Sequence, residues 1–276
     1  MSLLSRFLFA SPLAAIALLL AVSVLPPRLQ AAEGDKPVSI ITGTSYGLGR
    51  ELALIAHREG MRLVMVDVRP APSLELAEQF RNAGGEAVFV EADLAIAEQR
   101  PQIVSTALER FGRIDYLFNN AGYSYLATLE QMDLDDAHHL FEVNYWAYAD
   151  LAQRVIGPMR EAGGGTIVNI ASILGVRPSP PGLGHYGATK HALLGLFQTV
   201  AQEVAADNIE IVIAAPAGMR TNVSVHSTGP LADPGVDRAA NWEDPAIAAQ
   251  DIFNALGSGD VVIYPGYIGR EMQGED

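Results

Sequence analysis

The sequence contains no cysteine, which excludes disulfides, thiolate metal sites and cysteine nucleophiles and leaves the redox compartment open. It is also poor in basic residues: 18 Lys and Arg stand against 32 Asp and Glu, for a formal net charge of -14. A surface of that sign repels phosphate, so neither nucleic acid nor an anionic lipid surface is an expected partner. Metal-ligand spacing is missing too. Of the six histidines, His138 and His139 are adjacent and would point to different faces of a helix, so no metal is expected. No internal repeat or low-complexity tract interrupts the chain.

What is present is a chain of 276 residues, 49% hydrophobic, long enough to bury one substantial core as a single domain. One run stands apart. Phe7–Leu25 carries no charge and is long enough at about 1.5 Å per residue to cross most of a bilayer core. It reads as an uncleaved membrane anchor, with a cleaved signal peptide and an apolar tail docked on protein as the other readings. Arg6 on one side and Arg28 and Lys36 on the other leave its orientation open. The prolines from Pro26 to Pro37 then read as a stiff linker. The expected organisation is therefore a signal or anchor segment with linker over residues 1–36 and an enzyme-sized domain over 37–276.

Within the domain, short apolar runs alternate with helical patterns. Strands are expected at Val38–Gly43, Arg62–Asp67, Ala87–Glu91, Tyr116–Asn119, Thr166–Ala171, Ile209–Ala214 and Val261–Tyr264. Helices are expected after Gly47 and at Leu74–Asn82, Glu98–Phe111, Asp135–Glu161, Tyr186–Ala206 and Pro245–Leu256. Strands that are apolar throughout belong in a parallel sheet covered on both faces. The fold class is therefore α/β: a single doubly wound domain with a parallel seven-stranded sheet, preceded by an apolar N-terminal helix. The stretch Ala217–Asp244 has no periodicity, and a loop of that length in a compact domain is usually a lid or a binding loop. Asn222-Val223-Ser224 fits a glycosylation sequon within it and is read as coincidence.

Three segments carry chemistry. "TGTSYGLG", Thr42–Gly49, sets three glycines between the first strand and first helix, where a helix N-terminus can bind a pyrophosphate. Asp67 ends the second strand roughly 20 residues on, where a carboxylate accepts hydrogen bonds from adenosine ribose hydroxyls and repels the extra phosphate of NADP. Arg69, two residues later, could pair with such a phosphate, so NAD is favoured over NADP without excluding it. In "YGATK", Tyr186 and Lys190 are spaced i, i+4 and share a helix face. A free phenol, with a pKa near 10, is a poor base at neutral pH, and a neighbouring ammonium is expected to lower it. Ser172 follows the strand "TIVNIAS", Asn144 is a polar residue in an apolar helical stretch, and "NNAG", Asn119–Gly122, closes the fourth strand.

Taken together, these segments resemble a classical short-chain dehydrogenase/reductase from Val38 to about Tyr264. The resemblance implies a Rossmann-type fold and an NAD(P)(H)-dependent oxidoreductase that interconverts an alcohol and a ketone or aldehyde. It implies Tyr186 as general acid/base, Lys190 as the group that lowers its pKa and binds the nicotinamide ribose, Ser172 as the group orienting the substrate oxygen, and Asn144 as holder of a water in the proton relay. Cofactor contacts are implied at Gly43, Ser45, Tyr46, Gly47, Leu48 and Gly49, at Asp67, at Asp93 and Leu94, at Asn120, Ala121 and Gly122, and at Pro216 and Thr221, with Tyr186 and Lys190 joining them. The chain departs from the family at "PAGMRT", where Ala217 stands at a position usually held by glycine and Gly218 is expected to take over the turn. His185 is the one histidine expected close enough to tune the site. A small-molecule alcohol or carbonyl substrate, with apolar walls from "ILGV" and "PPGLG", and a homodimer or homotetramer packed through the long helices are the expected partners. Since nicotinamide cofactors are held inside cells, the favoured placement is an anchored domain facing a cofactor-containing compartment, with export after signal cleavage as the alternative. A membrane-tethered nucleotide-binding sensor or scaffold without turnover is the rival from another class, and intact Ser172, Tyr186 and Lys190 count against it.

Overall fold

The structure is a computed structural model that describes residues 36–222, 226–233, 242–266 and 271. The apolar run Phe7–Leu25, most of the linker, and Val223 and Ser224 of the sequon lie outside the described residues.

Seven strands form one parallel sheet in the order β3-β2-β1-β4-β5-β6-β7. They are β1 Val38–Thr42, β2 Arg62–Asp67, β3 Ala87–Glu91, β4 Tyr116–Asn119, β5 Gly165–Ile170, β6 Ile209–Ala214 and β7 Val262–Ile263. Among the described residues, seven α-helices alternate with them: α1 Gly47–Arg58, α2 Pro70–Asn82, α3 Arg100–Phe111, α4 Leu134–Phe141, α5 Ala147–Glu161, α6 Gly184–Glu203 and α7 Pro245–Ala255. Successive strand residues face opposite layers, as the pleat requires. Ile41 packs with Leu52, Phe80 and Phe253 under α1, α2 and α7. Ile40 packs with Ile103, Leu151 and Phe197 under α3, α5 and α6. Both faces are covered, which is why the strands read as mostly apolar runs rather than alternating ones.

The chain reverses its winding between β1 and β4. That reversal leaves a crevice at the carboxyl edge of the sheet, where the segments after β1 and β4 part to opposite faces.

Several boundaries differ from the sequence expectation. α2 starts at Pro70 rather than Leu74, because the proline sits in the first turn, where its missing N–H costs nothing. The single helix expected over Asp135–Glu161 is interrupted by a π-helical turn at Glu142–Trp146. One extra residue per turn barely disturbs an apolar stripe, so periodicity does not reveal it. β7 is reduced to two residues. The described parts of the long loop are tied down at two places. Met219 bridges Glu243 and Thr228 bridges Tyr125, while the Leu126 N–H donates to the Thr228 carbonyl at 2.8 Å and Leu231 donates back to Leu126 at 3.0 Å. Among the described residues no helix is long and apolar enough to cross a membrane.

Candidate active site

The turn after β1 is built to let a ligand approach the backbone. Gly47 has φ +56°, and a Cβ there would meet the Thr221 side chain at 2.9 Å. A Cβ on Gly49 would land on the Gly43 carbonyl oxygen and the Asn120 side-chain amide. The first turn of α1 has no side-chain cap and no acidic residue, so its N–H groups, with their partial positive charge, face the cleft with no carboxylate of the turn to neutralise them. Thr42 ties this turn to the far wall. Its hydroxyl accepts from the Asn120 and Ala121 N–H groups at 2.9 and 3.0 Å, and Asn120 Nδ2 donates to the Thr42 carbonyl at 2.8 Å.

At the end of β2, Asp67 is buried, and its two oxygens accept from the Ser45 N–H at 3.0 Å and the Arg69 N–H at 2.9 Å. The Arg69 guanidinium lies over the Tyr46 ring at 5.2 Å and reaches Asp67 at 3.3 Å. Asp93 and Leu94 continue the same wall, with Asp93 Oδ1 accepting from the Ala95 N–H at 2.9 Å. These features fit a dinucleotide: uncapped amides for the pyrophosphate, and a buried carboxylate for a ribose diol.

Across the cleft, Ser172 follows β5. Its hydroxyl accepts from the Leu174 N–H at 3.1 Å and stands close enough to the Tyr186 phenol to pull its pKa down. Lys190, one turn along α6, is buried and donates to the Ile170 carbonyl at 2.9 Å. Its Nζ stands 5.2 Å from the Tyr148 ring centre and 5.7 Å from that of Tyr186. Gly122 closes the space between, since a Cβ there would meet Asn144 Oδ1 at 3.0 Å and Lys190 Nζ at 3.7 Å.

The electrostatics correct the expectation for Tyr186. Burial pushes the phenol up, and the Ser172 hydroxyl pulls only partly against it. Burial also takes Lys190 from its ordinary 10.5 down to about 7. Removing water penalises both charges, so the pair by itself does not yield a phenolate at neutral pH; the resting phenol is a proton donor. A consequence can be measured. Between about pH 7 and 10.5 the unfolded chain holds a proton on this amine that the folded chain lacks, so Lys190 makes stability rise with pH across that window. In denaturant unfolding, the stability difference between wild type and Lys190→Met is expected to move in favour of wild type as pH rises from 7 to 10. A difference that stays flat contradicts the buried, proton-shedding amine.

One cavity of about 890 Å³ joins Gly43, Tyr46, Gly47, Leu48, Asp67, Asp93, Leu94, Asn120, Ala121, Gly122, Ser172, Tyr186, Lys190, Pro216 and Thr221. Three expected site residues stand behind its wall instead. Ser45 spends its N–H on Asp67 and its hydroxyl on the Arg69 carbonyl at 2.9 Å. Gly49 supplies close approach only. Asn144, fully buried in the π turn, accepts from the Tyr123 N–H at 3.1 Å and donates to the Tyr123 carbonyl at 3.0 Å and to Thr189 at 3.3 Å. Both ends of its amide are therefore engaged with protein, and it braces the segment after "NNAG".

Two further expectations change. His185 packs on the Tyr125 ring at 6.0 Å and does not line the cavity, whereas His139, bonded to the Tyr123 phenol at 2.7 Å, and His226 do. Gly218 does not take a left-handed turn. A Cβ on it would strike the Trp242 ring at 2.8 Å, so the glycine is there for packing. Trp242 was not legible as a site residue, because it lies far along the loop in sequence and follows no periodic pattern. Thr42 was legible only as part of its quoted turn.

The family model for short chain dehydrogenase matches residues 37–229, and the chain belongs to that family. A 3-oxoacyl-[acyl-carrier-protein] reductase from Synechocystis sp. is 32% identical over 68% of this chain and 76% of its own length. The dehydrogenase/reductase SDR family member 7B of Mus musculus is 33% identical over 80% of this chain and 70% of its own. Among solved structures, a short chain dehydrogenase/reductase from Burkholderia phymatum in complex with NAD superposes with TM-score 0.77 at 26% identity, covering 84% of this chain and 90% of that one. A short-chain dehydrogenase from Sphingobium yanoikuyae in complex with NADPH does so with TM-score 0.76 at 27% identity, covering 86% and 91%. The protein is thus an NAD(P)-dependent oxidoreductase with a Rossmann-like fold that acts on small molecules.

Proposed function

We propose that this protein interconverts a secondary alcohol and a ketone with NAD(H), Tyr186 exchanging the proton with the substrate oxygen. The observation that carries this reading is the convergence of Ser172, Tyr186 and Lys190 at one end of the cavity whose other end is the glycine turn and Asp67. The nicotinamide, when bound, supplies or accepts the hydride. The chain's own work is positional and protic. Ser172 holds the reacting oxygen, the Tyr186 phenol gives its proton in reduction and recovers it in oxidation, and Lys190 holds the ribose end against β5. The i, i+4 spacing sets Tyr186 and Lys190 on one face of a helix whose start is fixed beside Ser172.

The preference for NAD rests on Asp67. Its carboxylate is fixed by two backbone N–H groups at the point where a ribose diol would lie, and it repels a 2′-phosphate there. Arg69 works the other way, but its guanidinium is already engaged with that carboxylate. Fluorescence titration should therefore give a lower Kd for NADH than for NADPH. Asp67→Ser is expected to close most of that gap, mainly by improving NADPH. Equal affinities in wild type would remove the preference.

A homo-oligomer is proposed through α5 and α6, where half-exposed Trp146 borders a groove with Ile156, Leu196 and Val200; light scattering on the full chain tests it. Membrane attachment through Phe7–Leu25, with the domain on a cofactor-containing side, is proposed from the uncharged run alone. Resistance of the full chain to alkaline carbonate extraction tests that attachment.

A further inference from the structure

The cavity that holds Ser172 and Tyr186 is walled by several large apolar side chains, alongside the polar Ser124, His139, Asn222, His226 and Ser227. The Leu174 N–H is held by Ser172 itself, at 3.1 Å, and Leu183 caps the helix that carries Tyr186. On the opposite side, Leu126 is fixed through its backbone to Thr228 and Leu231 of the long loop. The roof comes from the same loop. The Pro216 carbonyl accepts from Ile173 at 2.9 Å, and two residues on, Gly218 lets the Trp242 ring approach the backbone closely, with ring atoms 2.8–3.2 Å from where a Cβ would stand. Leu126, Leu174, Leu183, Met219 and Trp242 all line the cavity, and Trp242 keeps 43% of its surface exposed. The packing of Trp242 on Gly218 fixes the indole at the mouth without burying it.

Charge gives the second argument. Among the described residues lining the cavity, Arg69 and Lys190 are the arginine and lysine. Arg69 is engaged with Asp67 at the cofactor end, and Lys190 with the Ile170 carbonyl. The remaining formal charges there are the carboxylates Asp67, Asp93 and Asp233. His139 shares its ring nitrogen with the Tyr123 phenol. A substrate carrying a carboxylate or phosphate would lose water on entry and, among the described residues, meet no guanidinium or ammonium not already engaged.

We propose that the substrate is a neutral, largely apolar secondary alcohol or its ketone, with its hydrocarbon body between Leu126, Leu174, Leu183 and Trp242 and its oxygen at Ser172 and Tyr186. This rests on the reading of the site as an alcohol/ketone oxidoreductase. In oxidation the Tyr186 phenol first releases its proton to solvent; the carbinol O–H proton then passes to the Tyr186 phenolate while the carbinol C–H breaks with its electron pair leaving as hydride to NAD⁺, and the C=O bond forms; reduction is the reverse.

The test uses methyl ketones of increasing chain length, and oxo acids of matched length bearing a terminal carboxylate, on the full chain. kcat/KM is read by NADH consumption, and binding to the NADH complex by calorimetry. Both are expected to improve about fourfold per added methylene until the pocket is filled, and the oxo acids are expected to fall behind their neutral counterparts by tenfold or more. Trp242→Ser should flatten the dependence on chain length while leaving the NADH Kd unchanged. A flat series in wild type, or preference for the carboxylates or for polyhydroxylated ketones, overturns the substrate class. A steep binding series with no NADH consumption by any ketone would uphold the apolar pocket and sink the oxidoreductase reading instead.

Discussion

Tyr186→Phe is expected to lower kcat by a factor of about 10²–10⁴ while NADH binds as in wild type. The substitution removes one oxygen and keeps the ring whose centre lies 5.7 Å from Lys190 Nζ. It also removes the phenol's polar interaction with Ser172, which is expected to affect stability by no more than about 1 kcal/mol. Kinetics and a nucleotide titration on the same preparation separate the two contributions. Loss of kcat with intact NADH binding assigns the phenol to proton transfer. A variant that keeps wild-type kcat would remove Tyr186 from the chemistry, and one that no longer binds NADH would make its role structural.

The second large effect is on the phosphate turn. Gly49→Ala places a methyl group on the Gly43 carbonyl and the Asn120 amide, and neither can yield easily. Asn120 is held to Thr42 through its own N–H and through its side chain. Overpacking of this kind should cost about 3 kcal/mol, or roughly 6–12 °C in Tm for a domain of this size. The turn must also open, so at least one amide–phosphate hydrogen bond is lost, for about a tenfold or greater weakening of NADH. Gly195→Ala in α6 is the control, since it is an exposed helix-interior position followed by leucine, it does not line the groove proposed for oligomerisation, and a Cβ there meets nothing within 4 Å. It should be neutral or stabilising by up to about 1 kcal/mol. If Gly49→Ala behaves like the control, the close approach is not what the glycine is for.

Most of the fold was legible because its signals are local. The buried strands are mostly apolar on both faces, with few polar residues such as Ser39, Asn169 and Glu210 among them, and parallel pairing favours that pattern wherever both faces are covered. The glycine turn and the Tyr186/Lys190 spacing were legible for the same reason, each being one segment whose geometry follows from its own sequence. What could not be read depends on contacts across the chain. The π turn that carries Asn144 is set by its bonds to Tyr123 and Thr189, and nothing in its spacing distinguishes it from the α-helix on either side. Ser45 looked like a cofactor ligand until Asp67 took its N–H. Gly218 looked like a turn glycine, yet it accommodates Trp242, which lies on the far limb of the loop. The direction of the Tyr186 shift was missed because a charge pair can be counted from sequence, whereas the burial that outweighs it cannot.

The central claim is that hydride passes between a nicotinamide in the cleft and a carbon whose oxygen is held by Ser172 and Tyr186. Its most direct test is to incubate the protein with a neutral methyl ketone and NADH deuterated at the transferring face of nicotinamide C4, then locate the label in the product by mass spectrometry. The prediction is an alcohol carrying deuterium on the carbinol carbon, formed with one handedness. NADH that binds but delivers no deuterium to any ketone would contradict the claim and leave a nucleotide-binding protein without turnover.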